Sequence, residues 1–182
     1  NLILLAKNKK GLEKLFKLST ELFVKSGSEK RSIPEQDILN NADDIVCIIP
    51  SSSPNLRNLA LKKEDLLIDQ HYKKYLEAFA ENLFVGVSNF SKDGYDSASA
   101  LACNIAKKNN IKAVAINDVL FLEKEDHLAH QAKVAINNAT LLKDEIDNPN
   151  VSSEQYFKTE EELAKFHELE PLKNTFEVAK LC

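Results

Sequence analysis

Four histidines, three cysteines and one serine triplet are the side chains of this 182-residue sequence whose chemistry reaches beyond packing. His127 and His130 stand three apart beside Glu125 and Asp126, a spacing that puts two imidazoles on one helix face. Nothing in the spacing obliges a third ligand to join them, and a packing role across a helix interface outweighs metal binding. Asn117-Asp118 follows a short apolar run, which makes Asp118 the best candidate for a metal-binding or acid–base carboxylate; the competing role is a cap or turn former. Ser51-Ser52-Ser53 follows another apolar run, but no glycine is there to wrap backbone amides around a phosphate, so a P-loop is excluded. Ser-His-Asp, HExxH, GxGxxG and DxD signatures are absent. Cys47, Cys103 and Cys182 form no CxxC pair, which points to reduced thiols rather than a disulfide framework or a zinc knuckle.

The elements that must position these residues alternate short apolar runs with segments of helical period, the pattern of an α/β protein with a mainly parallel sheet. Strands are expected at Leu2 to Ala6, Ile45 to Ile49, Leu83 to Ser88 and Ala113 to Ile116. Between them, Gly11 opens a helix whose Leu12, Leu15, Phe16, Leu22 and Phe23 share one face. Ser26 to Ser32 reads as a loop, Pro34 starts a short helix, and Asn55 to Leu61 suits another. Asp69 to Asn82 and Tyr95 to Asn109 read as helices that bury Tyr72, Tyr75, Leu76 and Phe79, and Ala98, Leu101, Ala102 and Ile105. The remainder reads as helical: Lys124 to Asn138, a turn at Ser153 to Phe157, a capping box from Thr159 to Glu162, and a last helix opened by Pro171. In parallel α/β folds functional groups gather at the carboxyl ends of strands, where Ser51, Asn89 and Asp118 fall here.

With 24 basic and 28 acidic residues the net charge is −4, so no whole-chain basic field draws in nucleic acid. Lys7, Lys9, Lys10, Lys14 and Lys17 cluster, yet a solvated face outweighs a phosphate-binding one. No apolar run approaches the length of a membrane span. The sequence begins at Asn1 and contains no methionine, from which an upstream segment is expected.

Ala115-Ile-Asn-Asp-Val119, Asp126-His-Leu-Ala-His130, Lys133-Val-Ala-Ile136, Tyr156-Phe-Lys-Thr-Glu-Glu-Glu-Leu163 and Asn174-Thr-Phe-Glu-Val-Ala-Lys180, with Leu2 to Leu12 ahead of them, resemble the later part of the PHP (polymerase and histidinol phosphatase) domain of bacterial DNA polymerase III alpha subunits. The resemblance implies a partial, distorted (β/α)7 barrel over residues 1–142 and a helical extension over 143–182 leading toward an absent palm domain. It implies a cytoplasmic, non-catalytic segment of a DNA-directed DNA polymerase, with magnesium belonging to the parent enzyme and no cofactor in this segment. Partners implied are the proofreading exonuclease subunit, other replisome subunits and, through the parent, DNA.

Active members of that family hold metal ions through side chains at the strand ends. At the matching positions this sequence offers Ser51 or Ser52, Gly86, Phe90 and Leu120, and only Asp118 is retained as a vestigial metal candidate. The expectation is therefore a degenerate metal site. The rival expectation is a free-standing PHP-type metal-dependent phosphoesterase using Asp118, His127 and His130. A further expectation is that an incomplete barrel leaves a sheet edge open to association.

Overall fold

The computed structural model describes residues 1–24, 32–54, 56, 58, 62, 65–88, 95–147 and 151–182, apart from the side chains of 65, 66 and 95–97. Four strands, β1 (Ile3–Ala6), β2 (Ile45–Pro50), β3 (Leu83–Val87) and β4 (Lys112–Ala115), form one sheet in the order β1-β2-β3-β4. β2, β3 and β4 are parallel, whereas β1 runs antiparallel to β2, with Ile3 opposite Ile48 and Ala6 opposite Ile45. The helices are α1 (Lys9–Val24), α2 (Glu35–Leu39), α3 (Asp65–Phe79), α4 (Tyr95–Lys108), α5 (His127–Asn138), α6 (Leu142–Asp147), α7 (Glu160–Leu163) and α8 (Leu169–Leu181). The Asn55 to Leu61 helix, the Ser26 to Ser32 loop and Phe90 lie outside the described residues or largely so.

Strand alternation splits the core in two. Ile45, Cys47 and Ile49 of β2 and Leu83 and Val85 of β3 face α3 and α4, where Ile68, Tyr72, Tyr75, Phe79, Ala102 and Ile105 complete a buried cluster. Val46, Ile48, Phe84 and Val114 face the other way and are closed over by Val178 of α8, with Leu5 and Ile116 at the margin. The arrangement is thus helices on both faces of a four-stranded sheet. β2 and β3 are apolar throughout because they are buried on both faces. Each large side chain sequestered in these layers contributes about 1.5–3 kcal/mol of transfer free energy.

α1 departs from the expectation. Its apolar stripe faces the core only in part: Leu15 packs against the core cluster, but Leu12, Phe16 and Phe23 are 43%, 63% and 60% exposed, while Gly11 and Leu18 are buried. Gly11 does not open the helix either. The cap is Asn8, whose Oδ1 accepts the Gly11 N–H at 3.1 Å. A Cβ at Gly11 would lie 2.1 Å from the carbonyl oxygen of Asp44, so glycine here serves the close approach of α1 to the turn before β2. Of the lysine cluster, Lys7 donates to Asn82 Oδ1 at 2.7 Å and Lys14 to the Asp43 carbonyl at 2.8 Å.

The last third of the chain folds back on the sheet. Residues 127–138 form α5 after one 3-10 turn, Lys124–Asp126. The expected capping box is present: Thr159 Oγ1 accepts from the Glu162 N–H at 3.3 Å, and Glu162 Oε2 accepts from the Thr159 N–H at 2.9 Å. α8 begins two residues before Pro171 and runs along β4. Among the described residues no helix is long and apolar enough to cross a membrane.

Candidate functional site

The carboxyl ends of β2, β3 and β4 come together, as a parallel sheet requires, and what they present is a chain of hydroxyl groups. Ser51 lies just past β2, Ser88 just past β3 and Ser99 on the first turns of α4; all three are buried. Ser51 Oγ accepts the Ser88 N–H at 3.0 Å and lies 3.1 Å from Ser99 Oγ. Ser99 donates to the Ser88 carbonyl at 2.5 Å, which leaves Ser51 as the donor toward Ser99. Ser88 Oγ in turn donates to Asp118 Oδ2 at 3.4 Å. Each hydroxyl proton is committed to a neighbour and among the described residues no base faces Ser51, so the cluster is a satisfied buried network rather than an activated nucleophile.

Gly86 lies in β3 beneath this cluster. A Cβ there would meet Ile116 Cδ1 at 2.8 Å and Ile48 Cγ2 at 3.1 Å, so apolar side chains fill the space a longer residue would occupy. Asp118 is half-buried in the segment after β4. Val119 N–H closes a turn onto the Asn117 carbonyl at 2.9 Å, so the turn-forming role is realised. Asn117 Nδ2 donates to the Tyr156 carbonyl at 2.8 Å, Leu120 N–H to the Gln155 carbonyl at 2.8 Å, and Gln155 Nε2 to the Asp118 carbonyl at 3.4 Å. Leu120, which follows this turn, is 46% exposed.

His127 and His130 share a face, as their spacing predicts, but that face is occupied by Phe121, whose ring centroid lies 5.7 Å and 5.6 Å from theirs. His127 Nε2 is 3.0 Å from the Val151 carbonyl and therefore carries a proton toward it. Burial, then the charges of Lys133 and His127, hold His130 below its ordinary value of 6.5. Among the described residues no three His, Cys, Asp or Glu side chains converge as a metal-binding group, and Asp118, His127 and His130 do not form one.

A feature the sequence reading missed is Lys158, whose side chain is 2% exposed. Its ammonium lies 4.2 Å from the centre of the Tyr156 ring and 5.1 Å from that of Phe166, and it bonds the Glu154 carbonyl oxygen. Glu154 also receives Lys124 at 2.6 Å, and Tyr156 donates its hydroxyl to Glu162 at 2.7 Å. Burial pulls Lys158 below the ordinary lysine range against the opposing charge of Glu154. In the sequence it reads as one more solvated lysine. The cue that was available is its place between Tyr156 and the capping box.

No protein-family model matches the chain. Along its whole length it is 27% identical to DNA polymerase III subunit alpha of Haemophilus influenzae, 29% to that of Pseudomonas aeruginosa and 27% to that of Escherichia coli K12. By sequence, the chain is similar to DNA polymerase III alpha subunits. It spans 16% of the length of each of these relatives. Two segments, 156–163 and 174–180, hold the folded-back third in place. Tyr156, Lys158, Thr159 and Glu162 belong to the first, and the second supplies Val178 to the core and Asn174 and Thr175 to β4.

Proposed function

We propose that the chain is a non-catalytic PHP-domain segment of a bacterial, cytoplasmic DNA polymerase III alpha subunit. Its strand-end site has passed from metal chemistry to structural support. The parent subunit carries out template-directed DNA synthesis with magnesium held by a palm domain outside these residues, and it contacts DNA and other replisome subunits there. This segment stabilises the subunit and docks the proofreading exonuclease.

The observation that carries this reading is the closed hydroxyl network Ser51–Ser88–Ser99 at the strand ends. Serine hydroxyls already bonded to one another and to backbone are poor divalent-cation ligands, and one carboxylate, Asp118, does not hold such an ion tightly. The packing around Gly86 adds steric reason, since the space is taken by Ile48 and Ile116. The alpha-subunit relatives support the replicative assignment, and the 16% share of their length supports a segment of a larger protein.

Two assays test the reading. Hydrolysis of a phosphodiester and of a primed 3′ end with manganese or zinc should stay at background; turnover that a chelator abolishes and Asp118→Ala removes would favour the phosphoesterase instead. Docking is tested by sedimentation of the chain with the purified proofreading exonuclease of the same source. A stable mixed species is expected, and two independent boundaries at high concentration would remove the docking role.

A further inference from the structure

The surroundings of Lys158 are built for a cation. Two aromatic faces, Tyr156 at 4.2 Å and Phe166 at 5.1 Å, flank its ammonium, and Glu154 offers both its backbone carbonyl and, at 3.5 Å, a carboxylate oxygen. Tyr156 donates its hydroxyl to the Glu162 carboxylate at 2.7 Å, which pushes electron density into the ring and strengthens its pull on a positive charge. Burial works against that charge and Glu154 works for it; the two ring faces add to Glu154. A side chain that only filled space would need no carboxylate and no paired ring faces.

The cage residues lie on both sides of α7, Glu154 and Tyr156 before it and Phe166 after it. α7 has four residues, fewer than a helix needs to stand on its own. The ammonium therefore joins the two ends of the α7 loop. Ahead of that loop, the stretch carrying Tyr156 is paired with residues 117–122: Asn117 Nδ2 donates to the Tyr156 carbonyl at 2.8 Å, and the Phe157 N–H to the Phe121 carbonyl at 3.1 Å.

We propose that Glu154, Tyr156 and Phe166 form a binding site for a monovalent organic ammonium, that Lys158 is its tethered occupant, and that this occupancy latches the α7 loop against residues 117–122. The ligand class follows from the lining, because ring faces and a carboxylate select a compact positive charge over a neutral group of the same shape. Tethering keeps the site filled without free ligand. A free ammonium enters only when the Lys158 side chain is removed.

The test removes the occupant and returns it as a free molecule. Lys158→Ala deletes Cγ, Cδ, Cε and Nζ, which n-propylammonium replaces atom for atom; 1-propanol, of the same shape without the charge, and sodium chloride are the controls. Melting temperature and hydrogen exchange at the Phe157 amide are read in the 182-residue chain. The variant should melt below the parent and exchange Phe157 about tenfold faster, the change set by losing a desolvated ammonium–ring contact. n-Propylammonium chloride should reverse both effects with a saturable dose response, whereas 1-propanol and sodium chloride should not, and the parent, whose site is filled, should not respond. If Lys158→Ala proves unfolded by circular dichroism, recovery of the folded signal by n-propylammonium and not by 1-propanol supports the proposal equally. Rescue by the alcohol to the same extent, or none by the ammonium, overturns it. So does a variant with the parent's melting temperature and Phe157 protection, or an equal response from the parent.

Discussion

Tyr72 is fully buried in the core between β2 and α4, and among the described residues its hydroxyl has no hydrogen-bond partner. An unsatisfied buried hydroxyl costs roughly 1–3 kcal/mol, so Tyr72→Phe should leave stability unchanged or raise it by about 1 kcal/mol in urea denaturation. A loss of that size would reveal a partner for the hydroxyl. Gly11→Ala should act the other way, because its new Cβ meets the backbone oxygen of Asp44 rather than a side chain that can swing aside. A loss of about 1–3 kcal/mol is expected from the same measurement, with α1 displaced from the β2 turn. The sequence placed Ser51 and Asp118 correctly at strand ends, because the α/β pattern alone locates those ends. It could not show that Ser88 and Ser99 join Ser51, since that network depends on α4 bringing Ser99 back over the sheet. Lys158 was illegible for a related reason: burial of a lysine is decided by what folds over it, here Tyr156 and Phe166.

Among the elements, periodicity located α1, α3, α4 and α5 but not always what each of them faces. Of the stripe on one side of α1, Leu15 packs against the core while Leu12, Phe16 and Phe23 stay exposed, and α1 approaches β1 and the turn before β2 closely at Gly11. Spacing tells which residues share a face and not what covers it. The antiparallel sense of β1 was likewise out of reach, since no single strand carries its own direction. Helix ends were more readable, as the Thr159 capping box shows. The end of α5 is a weak point: Ala139 caps it in the left-handed region, with φ 54° and ψ 39°. Left-handed backbone is costly for a residue with a Cβ, and Ala139→Gly should stabilise the chain by about 0.5–1 kcal/mol after the added unfolded-state entropy of glycine is counted. Thermal melts of the two forms decide it; a lower melting temperature for the glycine form would contradict the cap assignment.

For the molecule as a whole, buried titrating groups set a pH window. His71, His130 and His167 are each held below their ordinary 6.5, in every case chiefly by burial. The unfolded chain takes up those protons first, so stability present above 6.5 is lost as pH falls below that value toward the folded-state values. Burial pushes the Cys47 thiol from 9.0 up to about 12, so its contribution is complete below 9.0 and is lost as pH rises past it. Melting temperature should therefore plateau between these limits and fall on both sides, and His167→Gln should make the acid limb shallower; a limb of unchanged steepness would remove His167 from the account. The account's central claim is that the strand ends no longer serve a metal. Titration of the chain with manganese and with zinc, followed by calorimetry, tests it most directly. No saturable binding at the strand ends is predicted, and Asp118→Ala should change nothing. Stoichiometric binding that Asp118→Ala abolishes, with a metal at ordinary ligand distances from Asp118 in a crystal structure, would contradict it.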